Sequence, residues 1–294
     1  KIRYHLVRSA LPPRYHLAAA KKCQILRFPC FLHMDFTLAK YNELLLAFLA
    51  EGYAFLTFGD YCTAEHLPDR YVVLRHDVDK RPQNSVATAE IENRIHARAS
   101  YYFRVVPESN QPDAIRRIAA LGHEIGYHYE DMALAGGDTD KAFRHFEQTL
   151  RYFRTYYPVR TVCMHGAPAS RYDGRDLWKK YDYHRLGVVG EPYFDVDFSQ
   201  VFYLTDTGRC WDGYKVSVRD KIPLRQNEWV RQGLTYHTTD DIINALKNGT
   251  LPPRLMMTTH PQRWATSKGQ WAKELIVQNI KNIVKRILIV CGSK

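Results

Sequence analysis

Tyr71-Val72-Val73-Leu74-Arg75-His76-Asp77-Val78-Asp79 is the stretch that decides how this chain reads. Its apolar first half, bounded by turn-forming residues, predicts a buried strand. Side chains on a strand alternate faces, so Asp77 and Asp79, two residues apart, point the same way. Two carboxylates aimed at one spot repel unless a cation lies between them or one keeps its proton. The plainer alternative is structural, with one acid capping the next helix and the other paired with Arg75 or Arg81.

Outward from this strand, helical and extended segments alternate. A helix is expected from Leu38 to Glu51, stopped by Gly52. After the strand, Pro82 and Asn84-Ser85 open a helix from Val86 to His96, and a strand follows over Tyr101 to Val106. The pattern continues with a helix from Asp113 to Leu121, a strand from His123 to His128, a helix from Lys141 to Tyr156 and a strand from Arg160 to His165. Gly187 to Leu204 is aromatic and irregular, with short strands expected at Leu186 to Val189 and Val201 to Leu204. A helix Asp240 to Lys247 capped by Thr239, a strand Arg254 to Thr259 and a long helix Gln270 to Leu288 complete the chain. Strands alternating with helices argue for βα units around a parallel sheet. No Gly-, Ser- or Pro-rich linker divides the sequence, which favours one domain.

The reactive side chains fall in one kind of place. Asp77 and Asp79, His128, His165 and His260 each stand at the C-terminal end of an expected strand. In a β/α barrel those ends converge on one face, where sites are built. A single strand-end histidine is more often a satisfied structural residue, but four strand ends carrying ligand-type side chains argue for a shared site.

Composition narrows the function classes. The 294 residues carry a formal charge of +11, which suggests nucleic acid or a membrane surface as a partner. However, Lys1, Arg3, Arg8, Arg14, Lys21, Lys22 and Arg27 supply +7 of it within residues 1–33, a segment with no acid. The excess after this segment is modest and spread out, which argues against nucleic acid. The fold is expected to begin near Met34, with residues 1–33 a basic leader outside it and 34–294 a single domain. Six scattered cysteines, without a CxxC pair, favour free thiols and a cytoplasmic setting.

These residues resemble the polysaccharide deacetylase family, the NodB-homology carbohydrate esterases, over about Val72 to Trp264. Asp77-Val78-Asp79 looks like the family's first motif. Gly122-His123-Glu124-Ile125-Gly126-Tyr127-His128 is similar to its second, and Leu255-Met256-Met257-Thr258-Thr259-His260-Pro261 to a late motif. The resemblance implies a distorted, incomplete β/α barrel and hydrolytic removal of an acetyl group from an N-acetylated sugar. It makes Asp77 the general base and His260 the general acid, with Asp79 and His128 on a divalent metal, zinc being the first expectation. The family's further metal histidine, four residues after the first, corresponds here to Met132, a soft thioether unsuited to such an ion. Glu130 is the local substitute as third ligand, and His165 is the other, as ligand or substrate contact. The alternative to an enzyme is a glycan-binding module whose metal site has decayed.

Trp264, beside His260, is the best candidate for an aromatic face against a sugar ring, with Tyr193-Phe194 and Trp211-Asp212-Gly213 as others. The last helix carries Trp271, Leu275, Ile276, Ile280, Ile283, Val284, Ile287 and Leu288 at helical spacing, with Lys273, Lys281, Lys285 and Arg286 between them. This apolar stripe is expected to pack on the barrel. The alternative is peripheral contact with an anionic membrane at its inner face.

Overall fold

The computed structural model describes residues 34–167, 170–211 and 221–291, so the basic leader lies outside the described residues. At its centre is β2 (Tyr71–Val78), eight residues all buried. This is the run of apolar residues expected of a strand covered on both faces. On one side it pairs with β7 (Arg254–Thr259) along nearly its full length. Its other edge is shared: β1 (Ala54–Leu56) pairs with Tyr71 to Val73, and β3 (Ser100–Phe103) with Arg75 to Val78. With β4 (Glu124–Tyr129), β5 (Val162–Met164) and β6 (Phe202–Thr205), the strands form a curled, all-parallel half-barrel in the order β5-β4-β3-β2-β7-β6. Among the described residues the path ends at β5 and β6 without pairing them, consistent with an incomplete barrel.

Parallel neighbours need long crossovers, and helices supply them. α1 (Leu38–Ala50) precedes the sheet. The Thr37 side chain caps it by accepting from the Lys40 N–H, and Gly52 beyond its end has φ +76°. Tyr41, Leu44, Leu45 and Phe48 form its buried stripe. α2 (Phe58–Thr63) is a short helix closed by a capping box of Thr57 and Asp60. α3 (Pro82–Arg94) and α4 (Pro112–Ala120) both start on proline, which suits the first helical position. α5 (Asp131–Leu134), α6 (Thr139–Phe153), α7 (Pro192–Asp195), α8 (Pro223–Arg231), α9 (Thr239–Lys247) and α10 (Lys268–Cys291) follow.

One glycine is required by close approach. A Cβ on Gly126 would lie 2.3 Å from the Tyr102 ring and 3.0 Å from the Thr161 carbonyl. The absence of a side chain there lets β4 lie close against its neighbours two residues before His128.

Three expectations are corrected. β3 stops at Phe103 rather than Val106, because the Arg104 N–H turns to the Ser109 hydroxyl at 2.9 Å. Leu186 to Val189 is not a strand. A 3-10 turn runs Tyr183–Leu186, Gly187 adopts φ +69°, and only a single bridge joins Gly190 to Thr161. The third concerns α10: Glu274 and Gln278 are buried and Trp271 and Leu275 half-buried, while Ile276, Ile280 and Ile283 are 61%, 58% and 59% exposed; the side chains of Val284, Ile287 and Leu288 lie outside the described ones.

Candidate metal centre

Strand ends deliver the site. β2 carries Arg75 and Asp77 on one face, with Asp79 one residue past its end. His128 is the fifth residue of β4, while His165 and His260 are the first residues after β5 and β7. In a parallel sheet these positions lie along one edge, and their side chains do meet.

Asp79 Oδ1 lies 3.7 Å from His128 Nε2 and 3.6 Å from His165 Nε2. These separations are too long for hydrogen bonds. They match donors gathered round one small ion, since ligands about 2 Å from a tetrahedral zinc stand about 3.4 Å apart. Asp79 Oδ1 is buried and has no hydrogen-bond partner, while its other oxygen accepts from Gln262 Nε2 at 3.1 Å. An orphaned buried acceptor costs about 1–3 kcal/mol, and a cation held here would satisfy it.

Both imidazoles are set for the task. His128 Nδ1 lies 3.0 Å from the Cys163 carbonyl, so it carries the proton and leaves the Nε2 lone pair facing the cluster. Burial lowers the His128 pKa to about 4, with the neighbouring carboxylates opposing, so the ring is neutral at neutral pH. His165 Nδ1 lies 2.8 Å from Glu130 Oε2, and Arg104 grips the Glu130 carboxylate with Nε and Nη2 at 2.9 Å each. A carboxylate bonded to one ring nitrogen fixes the orientation of the imidazole and leaves the other nitrogen facing the cluster.

Asp77, His128 and Cys163 also place ligand-type atoms within 4.8 Å of one another. This second grouping competes for the same His128, and Arg75 already engages both Asp77 oxygens at 3.0 Å. The orphaned Asp79 oxygen favours Asp79, His128 and His165. Burial pushes the Asp77 pKa up, but the charges of Arg75, His128 and His260 outweigh it and hold the carboxyl well below the usual range. Asp79 is likewise held down against burial by His260, His165 and His128.

His260 closes the site from β7. Its Nδ1 lies 2.6 Å from Asp206 Oδ1 and its backbone N–H donates to Asp206 Oδ2 at 2.9 Å. Arg263 Nη1 donates to Asp206 Oδ1 at 2.7 Å and Trp264 Nε1 to Asp206 Oδ2 at 2.9 Å, so four donors saturate one buried carboxylate. Burial and Arg263 push the His260 pKa down, and Asp206, with Asp79, more than reverses this, leaving it raised.

The third-ligand expectation needs correcting. Glu130 is not in the cluster: it stands at the N-cap position of α5 with φ −141° and ψ 27°, and its carboxylate meets Arg104 and His165 instead of capping the helix. His165, the alternative, contributes the third donor. Met132 is buried in the hydrophobic core. Trp264 cannot face a sugar, being fully buried among Phe36, Tyr41 and Trp211 with its N–H on Asp206. Trp211 is buried too, while Asp212 and Gly213 lie outside the described residues. Glu124 is structural, accepting from Ser100, Thr161 and the Gly59 N–H.

Asp206 was missed by the motif reading, although it follows β6 directly and obeys the same strand-end rule. Comparison of the chain with family models, with curated proteins and with solved structures returns no match.

Proposed function

We propose that this protein is a metal-dependent hydrolase of the NodB-homology type that removes the acetyl group of an N-acetylated sugar. The observation that carries the reading is the orphaned Asp79 oxygen facing two imidazole nitrogens at 3.6–3.7 Å. A held carboxylate and a held imidazole, Asp77 and His260, stand at adjacent strand ends. When bound by Asp79, His128 and His165, a divalent cation such as zinc supplies Lewis-acid polarisation of a carbonyl and a water of lowered pKa.

The remaining chemistry belongs to the chain. Asp77 is kept ionised by Arg75 and accepts the proton of the attacking water; the two bonds from Arg75 fix the direction of its free lone pairs. An amide leaves as an amine only if its nitrogen gains a proton. His260, with Nδ1 on Asp206 and its pKa raised, is the group that donates it from Nε2. The sugar as substrate rests on the three motifs and not on the geometry.

The test is acetate release from oligomers of N-acetylglucosamine by the zinc-loaded protein. The expected result is zinc-dependent release that disappears in His260→Ala while oligomer binding persists. Binding without any acetate release in the wild type would leave the glycan-binding module as the better reading.

A further inference from the structure

Amphipathic helices of a β/α barrel turn their apolar side inward, but α10 leaves Ile276, Ile280 and Ile283 outward. Over Lys268 to Ile283 its barrel side is built from Trp271 and polar residues and is firmly tied. Glu274 pairs with Arg81 at 2.9 Å and Lys80 at 3.7 Å, and Asn282 donates to the Gly208 carbonyl at 2.7 Å. Trp271 donates to the Asp35 carbonyl at 2.7 Å and lies under the Arg209 guanidinium. These contacts fix the rotation of the helix, so the outward face cannot roll inward without pulling the buried Glu274 from its half-buried cations.

That outward face carries Ile276, Ile280 and Ile283, each about three-fifths exposed. Steps of four and three residues place them on one stripe. Lys273 and Lys281 are exposed on the same helix, and Lys285 and Arg286 follow in the sequence. The only acid of α10 is Glu274, which is turned inward.

Three occupants compete for the stripe. A second copy of the chain would set one basic helix against another with no outward acid between them. The basic leader, seven cations and no acid in residues 1–33, meets the same objection. An anionic lipid surface satisfies both features, taking the isoleucines at the acyl boundary and the lysines at the headgroups. The geometry points to α10 as a surface helix that docks this protein on anionic membrane. The mode is in-plane, since among the described residues no helix is long and apolar enough to cross a bilayer. Arg81, two residues after Asp79, holds Glu274, so the docked helix borders the strand-end face that carries the cluster.

The test uses the full chain with vesicles of phosphatidylcholine, alone or mixed with phosphatidylglycerol. The expected result is co-sedimentation with the anionic vesicles only, weakened by salt and reduced about ten-fold or more in I276S/I280S/I283S. Because those side chains are exposed, the variant's melting temperature should match that of the wild type. Light scattering on the same proteins separates the rival occupant. Failure of the wild type to bind anionic vesicles, or equal binding by the isoleucine variant, overturns the proposal. So does a dimer that this variant dissociates.

Discussion

His76 and Asp79 are three residues apart at one strand end and finish in opposite surroundings. His76 points to the far face of the sheet, where Nε2 lies 2.7 Å from Glu92 and Nδ1 2.6 Å from the Thr259 hydroxyl. The Glu92 oxygens also accept from Tyr41 at 2.5 Å and Tyr101 at 2.8 Å, and all five groups are sealed from solvent. Asp79 meets two histidines at separations that no hydrogen bond spans, with one oxygen unpartnered. Both clusters contain a carboxylate and two imidazoles, since His123 also lies 3.5 Å from Glu92. Composition therefore does not separate structure from site, and closure does. Both Glu92 oxygens are taken by His76, Tyr41 and Tyr101, with His123 Nδ1 the unpartnered atom beside them, whereas the Asp79 carboxylate itself keeps a bare oxygen before two imidazole nitrogens, where a cation could sit.

Exchange of charge at each centre gives the largest contrast. Asp79→Asn should abolish bound zinc and lower acetate release by about 10³-fold, the value of several kcal/mol of Lewis-acid help, with the fold intact. Glu92→Gln should keep zinc but lose about 3 kcal/mol in urea unfolding, the cost of disrupting a buried carboxylate's hydrogen-bond network. If Glu92→Gln loses metal and Asp79→Asn loses stability, the comparison is reversed.

His260→Ala should lower kcat about 10²–10⁴-fold. Asp206→Asn should act through His260, moving the pH profile as well as the rate. A raised pKa keeps His260 protonated to higher pH, so the rate falls as pH rises through that value. Without the Asp206 charge the imidazolium loses its main support, and the alkaline limb should shift to lower pH. A profile that keeps its limb in place would remove Asp206 from this role.

A smaller effect concerns acid stability of the metal-free protein. The His128 pKa is about 4 in the fold against 6.5 for a free imidazole, so the unfolded chain takes up a proton first as pH falls. Stability should therefore drop as pH falls from 6.5 to about 4, by up to about 3 kcal/mol. Asp77, Asp79 and Asp206, all held below their usual values, extend the loss at lower pH. Urea unfolding of chelator-treated protein at a series of pH values measures this, and His128→Gln should flatten the upper part of the window. The smallest effect is Trp264→Phe, which removes one donor to Asp206. It should cost about 1 kcal/mol of stability and leave glycan affinity unchanged.

The strand-end rule made much of this legible from residues alone. Period-two alternation placed Asp77 and Asp79 on one face, and the ends of β4, β5 and β7 marked His128, His165 and His260. Asp206 obeys the same rule but follows an irregular aromatic stretch in which β6 is only four residues long. Glu130 was misread because an extended chain was assumed two residues past His128, whereas β4 ends at Tyr129 and the backbone turns into α5. Trp264 was judged by its nearness to His260, but the 3-10 turn at Pro261–Arg263 rotates it back into the core. For α10, helical spacing revealed an isoleucine stripe without saying which way it faces. That direction is set by Glu274 and Arg81, nearly two hundred residues apart in sequence, and no local pattern carries it.

The central claim is that Asp79, His128 and His165 hold one metal ion while Glu130 only supports His165. Metal content after zinc loading and dialysis, compared between wild type, His165→Ala and Glu130→Gln, tests it most directly. The predicted result is about one zinc per chain in the wild type, little in His165→Ala, and binding weakened only about 10–100-fold in Glu130→Gln. Zinc retained in His165→Ala but lost in Glu130→Gln, or no zinc in the wild type, would contradict it.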